Sequence, residues 1–256
     1  MTLAFTEYGE GPPIIVLHGV FGSGRNWAGI AKHLSSDHRI ITVDMPNHGD
    51  SPWTDDVTYE LMAIAVNEFM TLHELHGATA LAHSMGGKAA MTLALTNPES
   101  INRLIVVDIS PVTYDHSSLD TIEAMEAIDL NTVKTRRDAH VQLSEIVKDG
   151  PLRDFLLQNL RKEGDRYVWR INLPALKNGL DALHGFPNFD PHIHYGGPAM
   201  FIDGADSNFI RAEYHDEIRR LFPRAEIIEI PDAGHWVHAD QPDKLLGHLK
   251  RFLAEN

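Results

Sequence analysis

Apolar residues occur along the chain in two kinds of segment that alternate with each other. Short runs are almost entirely apolar, which is typical of parallel strands covered on both faces of a sheet. Longer segments repeat apolar residues every three or four positions, which is typical of amphipathic helices. The strands predicted in this way lie at residues 14–17, 39–44, 78–82, 101–108, 199–202 and 226–230, with an edge strand at 3–8. The helices between them lie at residues 27–34, 58–77, 88–95, 211–221 and 242–253.

This alternation predicts an α/β fold, with a mostly parallel sheet and helices on both of its faces. The alternation stops after residue 111 and resumes at residue 196. Between these positions the pattern is mainly helical, with one extended stretch at 166–171 and helices at residues 119–130, 133–147, 152–161 and 173–183. The sequence therefore predicts a core domain of residues 1–111 and 196–256, interrupted by a helical cap at 112–195.

The composition of the 256-residue chain limits the cellular locations and the classes of partner that we expect. A formal net charge of −14 argues against nucleic acid or an anionic membrane as a partner. The sequence has no cysteine, which excludes disulfides, thiolate metal sites and cysteine nucleophiles. No apolar run reaches the length of a membrane span, and the first residues lack the pattern of a signal peptide. We therefore expect a cytoplasmic protein, and the sequence leaves its oligomeric state open.

Reactive side chains cluster at one edge of the predicted sheet. Six of them lie at or just beyond the carboxyl end of a strand: His18, Asp44, Ser84, Asp108, Asp206 and His235. Ligands of open parallel sheets bind at this edge. The sequence therefore predicts a functional site there.

Ser84 lies between an apolar strand and a predicted helix, in the sequence A-H-S-M-G at residues 82–86. A tight turn at this point pushes the serine out of the sheet, and small neighbours let the strand and helix backbones approach each other. This is the nucleophile-elbow pattern G-x-S-x-G, with alanine at the first glycine. We interpret Ser84 as a nucleophile, and the alternative is a helix cap. Lys88, farther along the helix, is expected to pack or pair rather than to catalyse.

A serine nucleophile needs a base that removes its proton and an acid that holds the base. His235, on the loop after the last strand, is the candidate base, because this class of fold uses the chain order serine, acid, histidine. Two candidates remain for the acid. Asp108 ends the strand that follows the elbow, whereas Asp206 lies one residue before the usual acid position, which Ser207 occupies. We favour Asp108 and keep Asp206 as the second candidate.

Backbone amides are the expected donors to an oxyanion. One is the N–H of Met85, directly after the nucleophile, and the other is the N–H of Val20, in the glycine-rich loop after the strand at 14–17. His192 and His194 lie near Asp190, but they match no metal motif of defined spacing. Neither a metal nor a cofactor is predicted.

Five segments carry a family resemblance: residues 17–23 (LHGVFGS), 44–51 (DMPNHGDS), 83–88 (HSMGGK), 107–111 (VDISP) and 234–238 (GHWVH). Together they resemble the α/β-hydrolases and, among these, the small bacterial esterases of the YbfF type. The resemblance extends over essentially the whole chain. It implies an α/β-hydrolase fold with a helical cap, hydrolysis of carboxylic esters or acyl thioesters, and no cofactor.

The same resemblance bears on individual site residues. It implies Ser84 as the nucleophile and His235 as the base, and it favours Asp108 because relatives tend to have asparagine at the position of Asp206. Two positions depart from the family pattern. Ala82 replaces the first glycine of the elbow, and Pro46 stands where relatives often have arginine, which affects the rim of the site.

These features predict a serine carboxylesterase that acts on small-molecule esters with short acyl chains. The predicted cap is expected to roof a closed, short pocket with apolar side chains that include Met125, Leu152, Phe155 and Trp169. One alternative is a non-catalytic protein of the same fold that binds a ligand. Another is a carbon–carbon hydrolase or a perhydrolase, because both use the same triad.

Overall fold

The computed structural model describes residues 2–115 and 118–254. Its strands in this part of the chain are β1 (Phe5–Tyr8), β2 (Pro13–Leu17), β3 (Arg39–Val43), β4 (Ala78–His83), β5 (Ile101–Val107), β6 (Leu160–Glu163), β7 (Arg166–Trp169), β8 (Ala199–Gly204) and β9 (Ala225–Ile230). Seven of them form one sheet in the order β1-β3-β2-β4-β5-β8-β9. β1 is antiparallel to β3, and the other neighbouring strands are parallel. The carboxyl ends of β2, β4, β5, β8 and β9 therefore share one edge.

The apolar runs form strands because successive residues are buried on opposite faces of the sheet. In β4, Ala80 and Ala82 belong to the core on one face, and Leu81 between them belongs to the core on the other face. All three are at most 1% exposed. Burial on both faces fixes the strand register, because a shift of one residue would exchange the two cores.

The helices of the described chain are α1 (Ala28–Leu34), α2 (Tyr59–Leu72), α3 (Met85–Thr96), α4 (Leu119–Glu126), α5 (Arg136–Ile146), α6 (Gly150–Leu157), α7 (Leu173–Asn178), α8 (Leu180–His184), α9 (His215–Leu221), α10 (Val237–Asp240) and α11 (Pro242–Ala254). Short 3₁₀ helices lie at Gly24–Trp27, Pro98–Ser100 and Ala212–Tyr214. Thr58 caps α2, as its position predicts, because its hydroxyl accepts the Leu61 N–H. None of these helices is both long and apolar enough to cross a membrane.

The segment between β5 and β8 contains α4 to α8 and an antiparallel hairpin of β6 and β7. The predicted helix at 152–161 is wrong at its end, because α6 stops at Leu157 and β6 begins at Leu160. Pairing of Leu160 with Trp169 replaces the helical hydrogen bonds, and Gly164, with a φ of 60°, makes the turn. The extended stretch predicted at 166–171 is confirmed as β7. The division into core and cap stays a prediction.

Lys88 of α3 binds the inserted segment to α3 through residues near both ends of that segment. Its ammonium group donates to the carbonyl oxygens of Val112 at 2.8 Å, His184 at 2.9 Å and Gly185 at 2.5 Å. The ammonium also lies 4.7 Å from the ring centre of Tyr114. Burial lowers the pKa of Lys88 to about 7, while three carbonyl acceptors favour its charged form. All three N–H donors of the ammonium group are thus engaged within the protein.

Candidate active site

Ser84 occupies a sharp turn between β4 and α3. Its φ of 51° and ψ of −119° are unusual for a residue with a side chain, and such conformations cost about 1–3 kcal/mol. The turn requires close backbone packing: a Cβ on Gly86 would lie 2.6 Å from the carbonyl oxygen of His18. Ala82 is fully buried at the end of β4, so the elbow accommodates alanine where its pattern has glycine. The strained turn places the Ser84 side chain at the edge of the sheet.

A continuous chain of hydrogen bonds runs from Ser84 to a buried carboxylate. The Ser84 Oγ lies 3.0 Å from Nε2 of His235, and Nδ1 of His235 lies 2.7 Å from Oδ2 of Asp108. With its Nδ1 proton donated to Asp108, the imidazole presents an unprotonated Nε2 to the serine hydroxyl. This arrangement can remove the hydroxyl proton and store it as a stabilised imidazolium.

Asp108 follows β5 with a φ of 53°, and its side chain is completely buried. Besides His235, the carboxylate accepts hydrogen bonds from Ser207 Oγ at 2.6 Å and from the Gly204 N–H at 3.0 Å. Sequence reasoning missed Ser207 as a partner, although the spacing had placed it at the usual acid position. Burial and the charge of Asp108 raise the pKa of nearby Asp203. This direction disfavours a second negative charge beside Asp108.

Asp206 lies apart from this hydrogen-bonded chain. Its side chain is exposed, and its backbone N–H donates to the carbonyl oxygen of Ala233 at 2.9 Å. The structure thus brings together Ser84, His235 and Asp108, and it does not bring Asp206 to them.

The candidate oxyanion donors lie on either side of the nucleophile. Met85 is the first residue of α3, so its N–H has no partner within the helix. Val20 lies in a tight turn that the Gly22 N–H closes onto the carbonyl oxygen of Gly19 at 3.0 Å, and the Val20 amide has no acceptor among the described residues. Phe21, next in this turn, has a φ of 63°. Within the described part of the chain, neither amide donates to an acceptor, so both are available to a negatively charged oxygen.

Two buried histidines shape the loops around the site. His18 donates from Nδ1 to the Gly19 carbonyl at 2.8 Å and accepts the Met45 N–H at Nε2 at 2.9 Å. His48 donates from Nδ1 to the Pro46 carbonyl at 2.9 Å and accepts the Phe21 N–H at Nε2 at 3.3 Å. A second proton on either ring would meet an N–H donor. Burial, joined in His48 by repulsion from His18, keeps both rings neutral and lowers the pKa to about 4 for His18 and about 3 for His48.

His83 connects the elbow to the loop of the candidate base. Its Nε2 donates to the carbonyl oxygen of His235 at 2.8 Å. Burial, followed by the neighbouring histidines, lowers the pKa of His83 well below its usual value. A neutral His83 therefore holds the backbone of His235 directly beside Ser84.

A cavity of about 270 Å³ borders Ser84 and His235. Aromatic rings supply much of its wall: Phe21, Tyr59, Tyr114, Phe155, Phe209 and Trp236. Leu152 and Phe155 come from α6, as expected for roofing residues. Met125 and Trp169 are not in this wall, because Met125 is fully buried in the hydrophobic core and Trp169 packs against that core. In the part of the chain that is described, no cluster of three potential His, Asp or Glu ligands could hold a metal ion.

The chain is similar to known hydrolases in both sequence and fold. A family model for the alpha/beta hydrolase fold matches residues 12–242. The sn-1-specific diacylglycerol lipase ABHD11 of Mus musculus is 42% identical over 251 residues, which are 95% of this chain and 81% of that protein. Esterase YbfF of Escherichia coli (strain K12) is 35% identical over 244 residues, which are 95% of this chain and 93% of that protein. The solved structure of a marine microorganism esterase is 36% identical, with a TM-score of 0.95 and coverage of 98% of this chain and 99% of that one.

Replacing Asp108 by asparagine should lower kcat far more than replacing Asp206 in the same way. Without its carboxylate partner, His235 can adopt the wrong tautomer, and its positive charge is left unstabilised. A comparable change in a serine protease lowers kcat by about 10⁴. We expect a loss of that order for Asp108→Asn and a change within about twofold for Asp206→Asn, measured with p-nitrophenyl butyrate. A larger loss in Asp206→Asn would contradict the assignment.

Because His18 and His48 are buried and neutral, we expect the free energy of unfolding to decrease in acid. The folded pKa values of His18 and His48 lie below the unfolded value of about 6.5, so the unfolded chain binds more protons as pH falls through this range. Their contribution is fully present above about pH 6.5 and is lost as the pH falls toward about 4 for His18 and about 3 for His48. Each histidine should reduce the free energy of unfolding by up to about 1.4 kcal/mol per pH unit.

Urea unfolding between pH 7 and pH 5 measures this effect. His48→Gln should make the pH slope shallower by about one proton, while substitution of the exposed His33 serves as the control. An unchanged slope in His48→Gln would show that His48 does not carry the effect.

Proposed function

The chain belongs to the α/β-hydrolase family and is a carboxylic ester hydrolase, and we propose that it hydrolyses short-chain acyl esters through an acyl-enzyme on Ser84. The observation that carries this proposal is the hydrogen-bonded chain from Ser84 through His235 to Asp108, which borders a largely apolar cavity. A protein that only bound a ligand would not need a base held at 3.0 Å from a serine hydroxyl.

In the proposed mechanism, Nε2 of His235 takes the proton of Ser84 while Oγ attacks the ester carbonyl carbon. Asp108 stabilises the resulting imidazolium, and the N–H groups of Val20 and Met85 receive the developing oxyanion. The imidazolium then gives its proton to the leaving alcohol as the carbon–oxygen bond breaks. Water, activated by the same histidine, hydrolyses the acyl-enzyme and restores the free serine.

The lining and the volume of the cavity favour a substrate with an uncharged, short acyl group. Among the described residues that line the cavity, Lys88 is the one Lys, Arg, Asp or Glu, and its ammonium group already donates to three carbonyl oxygens. A volume of about 270 Å³ lies at the lower limit of small-molecule pockets, which span roughly 300–1,000 Å³. We therefore propose an acyl site that fills after a few methylene groups. The mouse relative is named as a diacylglycerol lipase, so the preferred acyl-chain length is the property to measure.

Ser84→Ala should abolish covalent labelling by a fluorophosphonate and lower the esterase kcat by orders of magnitude. The reagent needs the serine oxygen as nucleophile, whereas the fold does not, so the melting temperature should remain close to the wild-type value. Gel fluorescence and a thermal scan measure the two properties on the same samples. Labelling that persisted in Ser84→Ala would exclude Ser84 as the nucleophile.

A series of p-nitrophenyl esters should show a maximum of kcat/KM at short acyl chains, of about two to six carbons. While room remains, each methylene gains up to about 0.8 kcal/mol of burial, so two of them raise kcat/KM about tenfold. Once the cavity is full, a further methylene must displace protein or stay in water, and kcat/KM falls. A continued rise to laurate or palmitate would overturn the short-pocket proposal and favour a lipase-like site.

A further inference from the structure

Phe21 directly follows the candidate oxyanion donor Val20, and both of its backbone polar groups are held by buried side chains. Its carbonyl oxygen accepts a hydrogen bond from Nδ2 of Asn159 at 2.7 Å. Its N–H donates to Nε2 of His48 at 3.3 Å. Phe21 is 6% exposed and Asn159 is 4% exposed, so water does not offer an easy replacement for either bond.

These two bonds fix the two peptide planes that follow Val20. The plane between Val20 and Phe21 is held through the Phe21 N–H, and the next plane is held through the Phe21 carbonyl. The φ of 63° at Phe21 is unfavourable for a residue with a side chain, so the turn requires outside support to persist. The direction of the Val20 amide depends on this turn, because Val20 and Phe21 are its two central residues.

Asn159 belongs to the inserted segment and not to the sheet that carries the turn. It lies between α6 and β6, 138 residues after Phe21 in the sequence. Its own position is fixed: its N–H donates to the Leu156 carbonyl at 3.1 Å, and its carbonyl accepts the Arg170 N–H at 2.7 Å. The Nδ2 group also reaches the Leu156 carbonyl at 3.2 Å. The Asn159 amide is therefore preorganised toward Phe21.

We propose that Asn159 is a positioning residue for the oxyanion hole, supplied by the inserted segment across its contact with the core. The inference rests on the proposed function, since it assigns the Val20 amide a role in stabilising the oxyanion. α6 ends just before Asn159 and carries Leu152 and Phe155 in the cavity wall. The segment that contacts the acyl group thus also holds the turn that receives the oxyanion.

Asn159→Leu tests this role, because leucine is similar in size and lacks the N–H donor. The oxyanion forms only in the transition state, so the substitution should lower kcat for p-nitrophenyl butyrate about tenfold to hundredfold and leave KM within about twofold. Affinity for a trifluoromethyl ketone, which forms a tetrahedral adduct on the serine, should fall by a similar factor. Asn159→Ala, which removes the Nδ2 donor without adding a charge or a new donor, serves as the second variant if the leucine variant folds poorly.

Thr135→Ala is the matched control. It removes the N-terminal cap of α5 within the same inserted segment, and Thr135 has no contact with the turn among its hydrogen bonds. Its kcat should remain within about twofold of wild type.

The outcomes separate the inference from the proposed function. Unchanged kcat in both Asn159 variants, or an equal loss in Thr135→Ala, would overturn the positioning role while an active wild type keeps the esterase proposal. A wild type inactive toward every ester would overturn both.

Discussion

The carboxylate of Asp108 is the group on which the site depends most. Burying a negative charge is costly unless hydrogen bonds compensate for it, and this carboxylate is 0% exposed. The compensating donors come from three places: the end of β8 at Gly204, the following loop at Ser207, and the loop after β9 at His235. One buried charge thereby joins three carboxyl ends of the sheet. The geometry of the candidate site and the local fold are stabilised by the same hydrogen bonds.

Strained backbone conformations elsewhere in the site are also stabilised by contacts with distant residues. Ser84, Asp108 and Phe21 all have positive φ, which side chains disfavour. Each is held by contacts from distant parts of the chain: His18 packs against the elbow through Gly86, the Asp108 N–H donates to the Ile202 carbonyl oxygen, and Asn159 holds the turn at Phe21. Such preorganisation is useful to an enzyme, because polar groups that are already oriented need not rearrange in the transition state.

Much of the fold could be predicted from the sequence because the central strands are buried on both faces. Such strands consist of consecutive apolar residues, which can be recognised in the local sequence. The α/β-hydrolase fold and the family are confirmed.

The β6–β7 hairpin was missed, although Gly164 followed by Asp165 is a known hairpin signal, because Leu160 also continues the apolar spacing of α6. Ser207 and Asn159 could not be assigned from local pattern, since their roles arise from partners about a hundred residues away or more. The nucleophile Ser84, the base His235, the acid Asp108 and the oxyanion donors stay proposals that the geometry supports.

The acyl-enzyme itself provides the most direct test of the account. The wild-type protein is mixed with p-nitrophenyl butyrate, quenched in acid within the first turnover, digested and analysed by mass spectrometry. The account predicts a burst of about one equivalent of p-nitrophenol and a butyryl group on the peptide that contains Ser84. A burst with the butyryl group on any other residue would contradict it.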